Sequence, residues 1–173
     1  GASDSKHTTQ TKNMDYINGS LYLSGMMKGG FAPYGEEEAR IASKSTPLNG
    51  FVIKCDASNG EWLGGVSADE QGIGGYFGVA KGKENNLYAY GYSWATPNKG
   101  ICLTTIDESS WKKTEKIALI TETGMGTAWS CLADGTNFYS FSRGNKAVNF
   151  YNSEFTLPAP TGWGMFISSW KLD

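Results

Sequence analysis

Along most of the chain, apolar and polar residues alternate with a period of two, the pattern of strands that bury one face. Three segments show it in one form: Leu21-Tyr22-Leu23-Ser24-Gly25, Leu87-Tyr88-Ala89-Tyr90-Gly91 and Phe138-Tyr139-Ser140-Phe141-Ser142. Each follows a polar turn, namely Asn18-Gly19-Ser20, Glu84-Asn85-Asn86 and Asp134-Gly135-Thr136-Asn137. A second form closes on Asp: Phe51-Val52-Ile53-Lys54-Cys55-Asp56, Leu103-Thr104-Thr105-Ile106-Asp107 and Ser169-Trp170-Lys171-Leu172-Asp173. Counting back from the Asp, alternate positions are Cys55, Ile53 and Phe51, then Ile106, Thr104 and Cys102, then Leu172, Trp170 and Ser168. Alternation puts each trio on one face of a strand. A polar turn and a Trp follow the first two, ending at Trp62 and Trp111, and Asn59-Gly60 is a hairpin signal because both residues accept positive φ. A further apolar run precedes each Tyr-containing strand: Met14 to Ile17, Tyr76 to Ala80 and Ala128 to Ala133.

The first form recurs after 66 and then 51 positions, and the second after 51 and then 66. Both spacings contain a unit of about 50 residues, the period of a kelch-type repeat. Each unit reads as an inner strand, a Tyr strand, an Asp strand and an outer strand begun by Trp. The chain is therefore expected to be all-β. A polar tail or edge strand over 1–13 precedes a single domain over 14–173, with units at about 14–66, 75–120 and 126–173. Four antiparallel strands in meander order make one propeller blade. The expected architecture is three blade-like units forming a partial or oligomer-completed β-propeller, with a β-sandwich or open barrel as the alternative. A short helix is expected only over Glu36 to Ser45. Propellers have four or more blades, and the third unit stops at Asp173 before its outer strand. Either the chain belongs to a larger propeller, or Ser5 to Lys12 supplies the outer strand of a protomer that closes as a dimer. Unpaired edges are costly, which favours self-association or a partner chain.

Composition sharpens this picture. Of 173 residues, 23 are Gly and 23 aromatic against 5 Pro, which suits short strands and tight turns. The formal charge of −2 argues against a nucleic-acid or anionic-membrane partner. No apolar run approaches the ~18 residues of a membrane span. The single His, His7, excludes imidazole-dependent triads and most zinc sites, and no cofactor is expected. Cys55, Cys102 and Cys131 lack metal-ligand spacing and sit in alternating apolar runs, so they are expected to be core thiols.

The connections between Tyr and Asp strands, Met26 to Asn49, Ser93 to Lys99 and Arg143 to Trp163, gather at one end of the units. Long connections are commonly functional. These carry Phe31 and the candidate ligand-binding residues Tyr34, Arg40, Trp94, Arg143, Asn145, Tyr151 and Trp163. Aromatic faces with Arg and Asn suit a glycan or peptide, because sugar C–H faces stack on rings while guanidinium and amide groups bind carboxylates and hydroxyls. The competing expectation is that the rings fold back over the blade core. Glu36-Glu37-Glu38 reads as a solvated loop tip, and Asp56 to Glu61 as a hairpin rather than a calcium loop. Asp15, Asp69, Glu70 and Asp134 show no spacing that singles out a catalytic pair. Gly72-Ile73-Gly74-Gly75 precedes a strand, so it presents no helix N-terminus to phosphate.

Asn18 to Gly25 with Gly50 to Trp62, and Asn86 to Gly91 with Ile101 to Trp111, resemble β-propeller blade repeats of the kelch and bacterial SBBP kinds. In strand rhythm the chain also resembles the propeller lipoproteins of gut Bacteroidetes. The likeness covers most of 14–173 and lacks the Gly-Gly pair that follows the Tyr strand in kelch repeats. It implies an exported or surface-attached location, the polar opening stretch being of the kind that follows a lipid anchor. The expected function is a non-enzymatic binding or scaffolding module for a glycan, a peptide or a protein partner. The alternatives are a glycosidase or lyase using loop carboxylates, and a structural subunit pairing through blade edges.

Overall fold

The computed structural model describes residues 8–32, 41–42, 48–68, 72–93, 100–122, 127–150, 154 and 156–172. All elements within them are strands, and every pairing is antiparallel. The first sheet runs β1 (Thr8–Ile17), β2 (Ser20–Lys28), β5 (Asn49–Asp56) and β6 (Trp62–Ser67). A small hairpin, β3 (Gly30–Phe31) and β4 (Ile41–Ala42), stands apart in the β2–β5 connection. The second sheet runs β7 (Ile73–Lys81), β8 (Asn86–Ser93), β9 (Gly100–Asp107) and β10 (Lys112–Glu122). The third is β11 (Thr127–Ala133), β12 (Asn137–Gly144) and β15 (Gly164–Lys171). The β12–β15 connection crosses to the second sheet, where β13 (Val148–Phe150) pairs on the β10 edge and β14 (Thr156–Leu157) pairs on β13.

Local chemistry dictates the tight turns. Asn18 and Gly19 have φ of 49° and 81°, positive at both central residues as a type I′ hairpin requires. At Asp56, one carboxylate oxygen accepts the Ser58 N–H (2.7 Å) and hydroxyl (2.5 Å); at Asp107, one accepts the Ser109 N–H (2.9 Å) and hydroxyl (2.7 Å). These side chains mimic backbone turn bonds. Four residues past each Asp the chain turns through positive φ, at Gly60 (75°) and at Trp111 (54°), so the repeat keeps one turn geometry with two residue types. Asp134 holds the third turn through the N–H groups of Thr136 and Asn137.

The three sheets stack in chain order with the second in the middle. On β8, Leu87 and Ala89 pack towards the first sheet with Tyr22 and Val52, while Tyr88, Tyr90 and Tyr92 pack towards the third with Phe138 and Leu172. β8 is therefore buried on both faces from Leu87 onward, whereas β12 and β15 alternate. Tyr90, Phe138 and Trp170 form a chain of tilted rings, with centroids 5.7 and 6.3 Å apart, and the Tyr90 hydroxyl is hydrogen-bonded to the Ser142 hydroxyl across the layer. The outer face of the first sheet buries Met27, Phe51 and Ile53 with Ile41 of β4.

Repeat positions keep their direction within the stack. Leu87 and Phe138, each wholly buried, both face the preceding sheet, and Leu21 faces the outer side of the first sheet. Tyr22 and Tyr88 face the following sheet. Leu21 pairs with Cys55 and Leu87 with Ile106, each one before the motif Asp, while Phe138 pairs with Trp170. The third unit thus slips by two residues, which preserves the face of every side chain.

Two expectations change. Thr8–Lys12 does not supply an outer strand to the third sheet: these residues lie on β1 and reach β2, Thr8 opposite Lys28, because the hairpin pairing that starts at the type I′ turn continues past an irregularity at Lys12, between Thr11 and Asn13. Of the helix expected over Glu36 to Ser45, the described residues Ile41 and Ala42 are strand, paired to Phe31 and Gly30.

Candidate functional site at the turn end

Because the strands form meanders, each sheet has a turn end and a loop end. At the loop end Tyr34, Arg40, Trp94 and Tyr151 lie outside the described residues, as do Glu36-Glu37-Glu38, Asp69 and Glu70. The structure brings two of the remaining candidates together: the Arg143 guanidinium carbon lies 4.6 Å from the centre of the Trp163 ring. Such a contact is worth about 0.5–1 kcal/mol when exposed. Asn145 is exposed in the turn after β12, and no contact joins it to that pair among those described. Phe31 folds back as a cap, stacked on Phe51 (6.3 Å) and Trp62 (5.8 Å).

The described concavities lie at the opposite end. A groove of about 350 Å³ between the first and second sheets is lined by Lys54, Leu63, Lys81, Asn85, Glu108, Ser109 and Trp111. At its floor Glu108, from the turn after β9, accepts a hydrogen bond from the Tyr22 hydroxyl (2.6 Å) and from both the Lys54 and Lys81 ammoniums. The Glu108 side chain is 9% exposed against 22% for Lys54 and 28% for Lys81. Burial opposes its ionisation, but the two ammoniums and the phenol outweigh that and hold its carboxyl at about 2 rather than 4.5. Burial and the neighbouring carboxylate push the Tyr22 phenol up. The Lys54 ammonium also lies 5.5 Å from the centre of the Tyr22 ring. One carboxylate against two ammoniums leaves the groove with a net positive charge, and each lysine keeps donors beyond those spent on Glu108. Trp111 seats its indole on Gly64, where a Cβ would stand 1.9 Å from the ring nitrogen.

A second cleft, of about 280 Å³, opens where the inner strands β1, β7 and β11 converge, and Lys81 lines both. Asp15 accepts the Val79 N–H (3.1 Å) and the Asn13 amide (3.0 Å) there. Burial raises the Asp15 carboxyl above its ordinary value, although these two bonds oppose the rise. Cys131 lines the same cleft, and its thiol is pushed up by burial and then by Asp15. All three cysteines are free thiols. Among the described residues, no group of three or more His, Cys, Asp or Glu side chains is placed to hold a metal ion. Among the same residues, no helix is long and apolar enough to cross a membrane.

Sequence reasoning missed the Glu108 cluster. Its partners lie 86, 54 and 27 positions away, so no local spacing announces it. The one available signal is a charged Lys54 between Ile53 and Cys55 in an otherwise apolar strand. No protein-family model matches the chain, and no curated protein matches it.

Proposed function

We propose that this chain is a non-enzymatic binding module whose three sheets act as propeller-type blades, and that the turn-end groove holds a carboxylate-bearing glycan. The carrying observation is the pair of lysines gathered on one largely buried carboxylate, with Leu63 and Trp111 beside them. Lys54 and Lys81 offer spare ammonium donors to an anion, Asn85 and Ser109 offer partners for hydroxyls, and Leu63 with Trp111 suits the C–H face of a sugar ring. Glu108 is saturated by three donors and held ionised, which suits positioning and not proton transfer. Among the described residues Asp15 is the one carboxylate lining the inner cleft, and acid–base cleavage of a glycoside needs two. The resemblance to surface lipoproteins supports an exported, surface-attached setting, where acidic polysaccharides are met.

The test is an amide-resolved NMR titration with glucuronate, glucose and inorganic phosphate. Glucuronate is expected to shift resonances of Lys81, Asn85, Ser109 and Trp111, and glucose to leave them in place. Lys54→Met with Lys81→Met is expected to weaken binding at least tenfold while far-UV circular dichroism is retained. Equal shifts with phosphate would reduce the site to a general anion patch, and no shift with any of the three would remove it.

A further inference from the structure

The inner cleft and the turn-end groove meet at Lys81. The cleft, of about 280 Å³, is built by residues 15–17 of β1, 79–81 of β7 and 131–133 of β11, the last three residues of each of those strands. It therefore opens at the same end as the groove of about 350 Å³, and Lys81, the last residue of β7, lines both. Each volume stands at the small end of ligand sites, which run from about 300 to 1,000 Å³. Each suits one sugar ring, and a ligand spanning the two fills a site of ordinary size.

The cleft differs from the groove in charge. Alternation turns Tyr16 and Leu132 outwards, at 68% and 65% exposed, and leaves Asp15, Ile17, Cys131 and Ala133 half-buried on the inward side. Ile17 packs on the core between the first and second sheets, and Cys131 and Ala133 pack with Ala80 on the core between the second and third. Among the described residues lining the cleft, only Asp15 and Lys81 carry charge, and the Lys81 ammonium is held on Glu108 at the groove floor. The strand-end counterparts of Lys81 are Ile17 and Ala133, so neither other strand end adds a cation. The Asp15 carboxylate accepts the Asn13 amide on both oxygens (3.1 and 3.0 Å) and the Val79 N–H on one (3.1 Å). A carboxylate offers about four acceptor positions, so Asp15 retains capacity for a hydroxyl donor. A second carboxylate placed there would meet a like charge.

We propose that groove and cleft form one site for an oligosaccharide in which a uronate, held in the groove, is joined to a neutral sugar, held in the cleft with a hydroxyl on Asp15. This assignment rests on the carboxylate-binding role of the groove.

An amide-resolved NMR titration of the 173-residue chain tests it with glucuronate and three β-1,4-linked dimers: glucuronosyl-glucose, glucosyl-glucuronate and diglucuronate. One mixed dimer is expected to bind about fivefold tighter than glucuronate, the worth of one net hydrogen bond. It is expected to shift Ile17, Val79, Ala80 and Ala133 together with Asn85 and Ser109, whereas glucuronate leaves the first four in place. Diglucuronate is expected to gain nothing over glucuronate in the wild type, and to gain as the mixed dimer does in Asp15→Asn, which keeps the side chain's shape without its charge. If glucuronate binds but neither mixed dimer binds tighter, or the tighter one leaves the cleft resonances in place, the joint site is overturned while the groove's role stands. Diglucuronate that gains in the wild type, or fails to gain in Asp15→Asn, would overturn the neutral assignment of the cleft. No binding by any of the four would remove the groove's role and the joint site together.

Discussion

Glu108→Gln is the sharpest perturbation of the interface between the first and second sheets. The substitution keeps the shape and the acceptor oxygen but removes the charge that two ammoniums share. A carboxyl that ionises near 2 instead of 4.5 is favoured in its charged form by about 3 kcal/mol in the folded state. Both lysines are partly in water at the groove rim, which screens the interaction, so a loss of about 1–2 kcal/mol is expected at pH 7. The pH dependence follows from the direction of the change. The folded value is depressed, so the contribution is complete above about 4.5 and disappears as the pH falls towards 2. Urea unfolding of wild type and variant at pH 7, 4 and 2 reads this directly. The difference in midpoint is expected to be largest at pH 7 and to close by pH 2 at an unchanged urea slope. A variant within 0.3 kcal/mol of wild type at pH 7, or a gap that persists at pH 2, would refute the reasoning.

The same instruments test the inner strands. A Cβ at Gly78 would stand 2.8 Å from the Cys131 sulfur and 3.3 Å from the Asn13 amide nitrogen, so Gly78→Ala is expected to cost about 1–3 kcal/mol. Removing the sulfur with Cys131→Ala should recover more than half of that loss in a double-mutant cycle, and strict additivity would deny the contact. Asp15 is expected to behave oppositely to Glu108. Its carboxyl is raised by burial, so its charge weakens the fold at neutral pH and the cost is relieved as the pH falls through the folded value. Asp15→Asn should therefore raise the melting temperature at pH 7 by about 1–3 °C and lose that advantage in acid; a lower melting temperature at pH 7 would contradict this.

Much of the strand plan is legible because it is local. The hairpins at Asn18-Gly19, Asp56 and Asp107 follow from residues within five positions, and alternation assigns Cys55, Ile53 and Phe51 to one face without any knowledge of partners. What escapes the sequence depends on distant chain. β13 and β14 sit in a connection of the third unit yet extend the second sheet, because the β10 edge offers unpaired backbone groups that the third sheet does not use. The slip of β15 is equally hidden, since a shift of two residues leaves the periodicity untouched. The expected binding residues lie in long connections, whereas the described concavities are built from strand ends and tight turns. Arg143 and Trp163 do meet, and Phe31 shows the competing use of an aromatic, as a lid on the core.

The two interfaces inside the stack are joined by different chemistry. Glu108 occupies the position after the motif Asp and reaches back to Tyr22 and Lys54 of the preceding sheet. The equivalent position of the first unit is Ala57, which carries no side chain able to reach a predecessor. Tyr139, the counterpart of Tyr22, gives its hydroxyl to Asp134 of its own turn, at 3.0 Å. Among the described residues, the interface between the second and third sheets is joined instead by the Tyr90, Phe138 and Trp170 rings and by the Tyr90–Ser142 hydroxyl pair. Acid and the loss of Glu108 are therefore expected to weaken the interface between the first and second sheets more than the one between the second and third.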